Sequence, residues 1–205
     1  MDVDSTPPAT RRRSQTRARL VEAAEELFVA RGMHGTSIEQ VCERAGFTRG
    51  AFYSNFASLD ELLVAVHDRR AGLAIETVRE AVGTMTAGDR APSPADVIAV
   101  VLERLPVDRA WHVLGAELSL AALRDPALAD VQRAERAELV DALVPTVTRA
   151  LEAAGLVAPD GVDELTRDLV AAYVGTADDR LLHHDDTPTV RLMTRVVSAS
   201  THPRG

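Results

Sequence analysis

The run Thr48-Arg49-Gly50-Ala51-Phe52-Tyr53-Ser54-Asn55 combines residue types suited to reading a polyanion. Phe52 and Phe56 lie four residues apart and therefore share one face of a helix. With that face turned inward, Thr48, Arg49, Ala51, Ser54 and Asn55 point outward and Tyr53 stands at the edge. Short outer side chains let a helix sink into a DNA major groove, which admits one α-helix. Near the start of such a helix, Arg49 can donate to guanine O6 and N7, and Asn55 can read adenine or hold a phosphate. The Tyr53 hydroxyl is a phosphate donor.

A surface of this kind needs a small helical unit behind it, and the flanking sequence supplies one. Leu20, Ala23, Ala24, Leu27 and Phe28 recur at helical period, predicting a first helix over about 16–31 that stops at Gly32. A second helix opens at Thr36-Ser37, where Thr36 with Glu39 or Ser37 with Gln40 fits a capping box. Its buried stripe is Ile38, Val41, Cys42 and Ala45. Gly46 interrupts it, and Thr48 caps a third helix reaching about Asn55. All four phenylalanines (28, 47, 52 and 56) fall in this stretch, which implies a miniature core of its own. Ser58 and Glu61 form another capping box, opening a long fourth helix through about Met85.

Residues 87–94 read as a linker by composition. Apolar-periodic segments follow near 95–105, 108–124, 126–155, 160–184 and 188–200. Pro145 lies inside the third of these and predicts a kink or a split. No segment alternates like a strand, and aromatics make up 3% of the residues, so the chain reads as all α. Neither a long apolar span nor a secretory leader is present, which predicts a cytoplasmic protein with no membrane contact. Cys42 is the single cysteine, excluding an internal disulfide.

Net charge is −8, which is unusual for a nucleic-acid binder until it is mapped along the chain. Residues 5–58 carry eight Arg against five acids, or +3, while the remainder is acidic. That asymmetry assigns the polyanion to the N-terminal part. Arg11-Arg12-Arg13 close a polar tail over 1–13, read either as a disordered tail or as a basic arm reaching DNA.

The stretch from Ala45 to Phe56, followed by Ser58 and Leu62, resembles the signature of the TetR/AcrR family of bacterial regulators. The resemblance is specific over about residues 14–64 and looser beyond, where Arg124-Asp125-Pro126 resembles the junction of the family's sixth and seventh helices. It implies that Thr36 and Ser37 touch phosphate, and that Thr48, Arg49, Gly50 and Ala51 face bases. Tyr53, Ser54 and Asn55 then meet backbone or base edges. Leu59 stands where the family usually has a phosphate-binding Lys, a departure that predicts weaker or less salt-sensitive binding.

The resemblance further implies a homodimer formed by the last two helices, and a small-molecule effector held between helices four and seven. Trp111, His112, Glu117 and Tyr173 are the distinctive residues of that acidic part, and a Trp with a carboxylate suits an aromatic or cationic effector. Cys42 reads as core packing rather than a redox thiol. His183-His184-Asp185-Asp186 reads as a solvated helix end, because adjacent helical residues diverge by about 100° and cannot chelate from one face. No nucleophile–base pairing, phosphate loop or metal-ligand spacing appears, so neither an enzyme nor a cofactor is expected. The expected organisation is a tail over 1–13, an N-terminal three-helix helix-turn-helix domain over 14–60, and a helical ligand-binding and dimerisation domain over 61–205. The expected function is a ligand-responsive repressor binding a palindromic double-stranded DNA operator as a dimer. The alternative is a helical ligand-binding module that has lost DNA binding.

Overall fold

The computed structural model describes residues 8–87, 92–105 and 109–204, without the side chains of residues 8–11 and 178. Among the described residues ten helices run in order: α1 Pro8–Arg31, α2 Ile38–Ala45, α3 Arg49–Tyr53, α4 Leu59–Thr86, α5 Pro94–Arg104, α6 Arg109–Ala122, α7 Pro126–Ala153, α8 Val162–Gly175, α9 Ala177–Leu182 and α10 Thr187–Ser200. Among the described residues the only extended pairing is a two-residue antiparallel bridge, β1 Leu156–Val157 with β2 His202–Pro203. The fold is all α, as the composition implied.

The chain forms two compact units. Unit 1 holds the described residues up to Arg69 together with Val113–Ala129; unit 2 holds Arg70–His112 and Asp130 onward. The boundary therefore differs from a single cut near residue 60. Unit 1 needs more than its first three helices to bury its apolar faces. Leu20 and Phe28 of α1, Val41 of α2, Phe52, Phe56, and Leu62 and Leu63 of α4 form one core with Leu114 and Leu118 of α6. Each fully buried side chain of this size contributes about 1.5–3 kcal/mol relative to exposure.

Unit 2 has its own core, centred on Ile98, Leu102, Leu151, Leu165, Met193 and Val197. Helices α8 and α10 are tied by a buried polar cluster. Arg180, only 5% exposed, donates through Nη1 to the Tyr173 carbonyl at 3.0 Å, and to the hydroxyls of Thr176 and Thr189 at 3.2 and 3.1 Å. The Thr189 hydroxyl donates to that of Thr176 at 2.8 Å. Burial pushes the Arg180 guanidinium below its ordinary pKa, opposed by its interactions with Tyr173 and with the Asp186 carboxylate.

Three boundaries differ from the sequence expectation. Helix α1 reaches back to Pro8, so Arg12 and Arg13 are helical rather than part of a disordered tail; residues 1–7 lie outside the described residues. Helix α7 continues through Pro145 without the split that was one of the two expectations there. The proline is exposed, so water can satisfy the Asp141 carbonyl that its ring leaves without an N–H. The 160–184 segment divides at Thr176 into α8 and α9.

Candidate functional site

The reading element is assembled from turns that the local sequence dictates. Ser37 caps α2: its hydroxyl accepts from the Gln40 backbone amide at 3.3 Å, while the Gln40 side-chain Oε1 accepts from the Ser37 backbone amide at 2.9 Å. Of the two capping registers compatible with the sequence, the chain adopts this one. Gly46 ends α2 in the left-handed region at φ 74°, a conformation without a Cβ penalty only for glycine. The chain then turns into α3, whose N-cap Thr48 accepts from the Ala51 amide at 3.2 Å. Phe52 is fully buried and Phe56 nearly so, with ring centroids 5.9 Å apart.

That anchoring leaves Thr48, Arg49, Gly50, Tyr53 and Ser54 exposed on one surface, with Ala51 and Asn55 partly covered. Tyr53 is 51% exposed and packs edge-on against Phe52. Arg49 pairs with Glu39 at 2.8 Å across the α2–α3 turn. Glu39 is held below the usual carboxylate range, first by a hydrogen bond from its own backbone, then by Ser37, then by Arg49. Asn55 donates to the Ala51 carbonyl at 2.8 Å and to the Ser54 hydroxyl at 3.2 Å, while its Oδ1 is buried without a partner among the described residues. The Ser54 hydroxyl itself donates to the Ala51 carbonyl at 2.9 Å.

Arginines of α1 brace this surface, a role the sequence did not disclose. Arg13 donates to the Ser54 carbonyl at 3.0 Å, at the C-terminal end of α3. Arg17 lies over the Phe56 ring and Arg19 over the Phe47 ring, at 4.9 and 5.0 Å from the centroids. Arg44 pairs with Glu26. Cys42 is buried, and burial raises its thiol above the ordinary value.

Thr36 does not join the exposed surface. It is 7% exposed and its hydroxyl donates to the Gly32 carbonyl at 3.0 Å, the back-bond favoured by threonine near a helix end. Ser37, half-buried, stays at the start of α2. Leu59 is partly buried against the unit 1 core at the first turn of α4. The α4 cap forms as expected, with the Glu61 amide donating to the Ser58 hydroxyl at 3.1 Å.

Unit 2 encloses a cavity of about 170 Å³ walled by residues of α4, α5, α6, α7, α8 and α10, among them Trp111 and Tyr173. His112 is not among its lining residues. Glu117 lies in unit 1, where its carboxylate accepts from the Met33 amide at 3.4 Å, beside Gly32. The expected pairing of a Trp and a carboxylate in one pocket is therefore corrected. Six residues on a helix place side chains about 120° apart around the axis and about 9 Å along it.

Residues 20–66 match the profile of bacterial regulatory proteins of the tetR family. The chain is 36% identical over 74 residues to the HTH-type transcriptional activator FasR of Mycolicibacterium smegmatis, covering 36% of this chain and 34% of that protein. It thus spans about a third of that relative's length. Over a longer range it is 29% identical to the HTH-type transcriptional repressor Rv3405c of Mycobacterium tuberculosis, covering 87% of this chain and 98% of that one. Among solved structures, the multidrug binding protein EbrR complexed with imidazole superposes with a TM-score of 0.63 at 28% identity, covering 88% of this chain and 94% of that chain. The matched profile begins at the first buried leucine of α1 and ends in α4, taking in the whole α2–α3 reading element; over that stretch the chain is similar to the bacterial regulatory proteins of the tetR family.

Proposed function

We propose that the protein is a cytoplasmic, non-enzymatic transcriptional repressor that binds a palindromic DNA operator as a homodimer and is released by a small effector in the unit 2 cavity. The observation that carries this reading is the α3 surface: a short helix anchored by Phe52 and presenting Arg49, Gly50 and Tyr53 outward. Such a helix enters the major groove with Arg49 toward base edges, while Ser37, Thr48 and Tyr53 hold phosphates. The exposed Ser54 and the partly covered Ala51 and Asn55 complete the contact surface. Thr36 is left out of the contact surface, because its hydroxyl donates to the Gly32 carbonyl and its amide to that of Met33.

A two-fold dimer presents two such helices to half-sites about 34–36 Å apart or somewhat more. Exposed Val174, Leu182 and Leu192 on α8, α9 and α10 supply apolar surface for that association. The Rv3405c relative is named a repressor and EbrR a multidrug binding protein, which supports the repressor and effector parts of the reading. The effector acts by population shift, binding more tightly to the form of the dimer that fits the operator poorly.

Fluorescence anisotropy of the purified protein against its own upstream DNA, with a scrambled duplex as control, tests the proposal across a salt series. Sequence-selective, salt-dependent binding is expected. Absence of duplex affinity on that DNA and in a genome-wide selection of sites would move the assignment to a ligand-binding module without DNA binding.

A further inference from the structure

The cavity of unit 2 carries more information about its ligand than its position alone. Its wall is made of Ile75, Val78, Leu102, Leu143, Leu169 and other aliphatic side chains, and among the described residues no charged side chain lines it. The polar-capable lining residues are Thr146, Thr166, Trp111 and Tyr173. The Thr166 hydroxyl already donates to the Val162 carbonyl at 2.7 Å, which leaves it an acceptor only. A neutral hydroxyl entering such a site costs about 1–3 kcal/mol if it finds no partner, whereas an unpaired ion costs far more.

The nearby cation does not alter this balance. Arg180 is absent from the lining; its guanidinium stacks 4.2 Å from the Tyr173 ring centroid, and it is Tyr173 that borders the cavity. Three of the arginine's hydrogen bonds go to the Tyr173 carbonyl, Thr176 and Thr189. Its Nε is buried without a partner among the described residues, so an acid gains a counter-ion only if Tyr173 moves aside. The volume, about 170 Å³, is close to that of apolar protein cavities of about 150 Å³ that stay dry and bind benzene.

We infer that this cavity selects an uncharged, apolar molecule of about one substituted ring, and discriminates against acids and amines of the same shape. The inference rests on the effector reading above and narrows it, keeping an aromatic body and replacing the cationic option with a neutral one.

Trp111 is the only tryptophan of the chain and lines the cavity, so its emission reports occupancy directly. Full-length protein is titrated at neutral pH with phenylbutanol, phenylbutanoate and phenylbutylammonium, which share one apolar body and differ in charge. Phenylbutanol is expected to shift Trp111 emission saturably, with a Kd about tenfold or more below that of either ion. Ala150→Phe, which fills the lining, should abolish the response while circular dichroism shows a folded protein; Val147→Phe replaces it if Ala150→Phe does not fold. Equal or tighter binding of either ion overturns the inference, and tighter phenylbutanoate would identify Arg180 as the counter-ion. Absence of any response to all three in folded protein overturns it as well. Duplex binding is measured on the same preparation, so failure of the regulator reading is seen separately from failure of the ligand class.

Discussion

At the scale of single residues, the reading surface is governed by which polar groups are already engaged. Arg49 is exposed yet paired with Glu39, so DNA must compete with a carboxylate for the guanidinium. Arg49→Ala is expected to lower discrimination between operator and scrambled duplex by about five- to a hundredfold, the span of one bidentate base contact, with dimerisation unchanged by sedimentation. Glu39→Gln frees the same guanidinium and removes a negative charge near phosphate. Its operator affinity should rise by about two- to fivefold, the range of an exposed ion pair. Weaker binding by Glu39→Gln would show that the pair orients Arg49 rather than competing for it. Because the Glu39 pKa is lowered on folding, its stabilising contribution is complete above the ordinary carboxylate range and is lost as pH falls through the depressed value. The pair therefore adds no pH dependence to operator binding over about pH 6–8. Cys42, buried with its thiol raised, stays protonated there. A thiol-reactive disulfide reagent should leave it intact in native protein and label it on unfolding; rapid native labelling would reopen the redox role.

At the scale of elements, two left-handed glycines set the turns of unit 1, and they differ in a way that can be measured. At Gly46, φ 74°, an added Cβ would meet only the flexible end of Arg19 at 3.4 Å. Gly46→Ala should therefore cost about 1–2 kcal/mol from backbone conformation alone. At Gly32, φ 73°, the Cβ would also lie 2.8 Å from Glu117 Oε1, so the carboxylate must leave the Met33 amide. Gly32→Ala should cost more than Gly46→Ala in urea denaturation. Adding Glu117→Ala should then recover part of the difference, whereas strict additivity would show that the two groups do not meet. The Gly32–Glu117 contact joins residues far apart in sequence, which is why local pattern did not reveal it. What local pattern did reveal is the capped α2–α3 pair, because caps, glycine and buried phenylalanines sit within one short stretch. It could not choose between Thr36 and Ser37 as cap, since both registers satisfy the same box. It also missed the start of α1: no large apolar residue lies between Pro8 and Arg19, so hydrophobic period is silent there. Proline is tolerated in a first turn and arginine is a good helix former, so nothing there stops the helix either.

At the scale of the whole molecule, the question is how a chain of net charge −8 meets a polyanion. Within the N-terminal +3, Arg44 and Arg49 are set against Glu26 and Glu39, and Arg13 gives a donor to the Ser54 carbonyl, so these three must exchange an internal partner to meet phosphate. On the proposed docking, phosphate would be held largely by neutral donors such as Ser37, Thr48 and Tyr53, which release few counterions. Each phosphate neutralised by a cation contributes about 0.9 to the slope of log affinity against log salt, so few ion pairs mean a shallow slope. Leu59 provides the test. It occupies the first turn of α4 and is partly buried against the unit 1 core, so a lysine there can lay its stem on the same apolar surface and extend its ammonium outward. Leu59→Lys should steepen the slope by about one per head, or about two for a dimer, and tighten operator binding at low salt. Stability should fall slightly, by about 0.3–1 kcal/mol, since a cation opposes the dipole at a helix N-terminus. A slope that does not move would mean that the start of α4 faces no phosphate in the complex, and the docking of α3 would have to be redrawn around a different edge of unit 1.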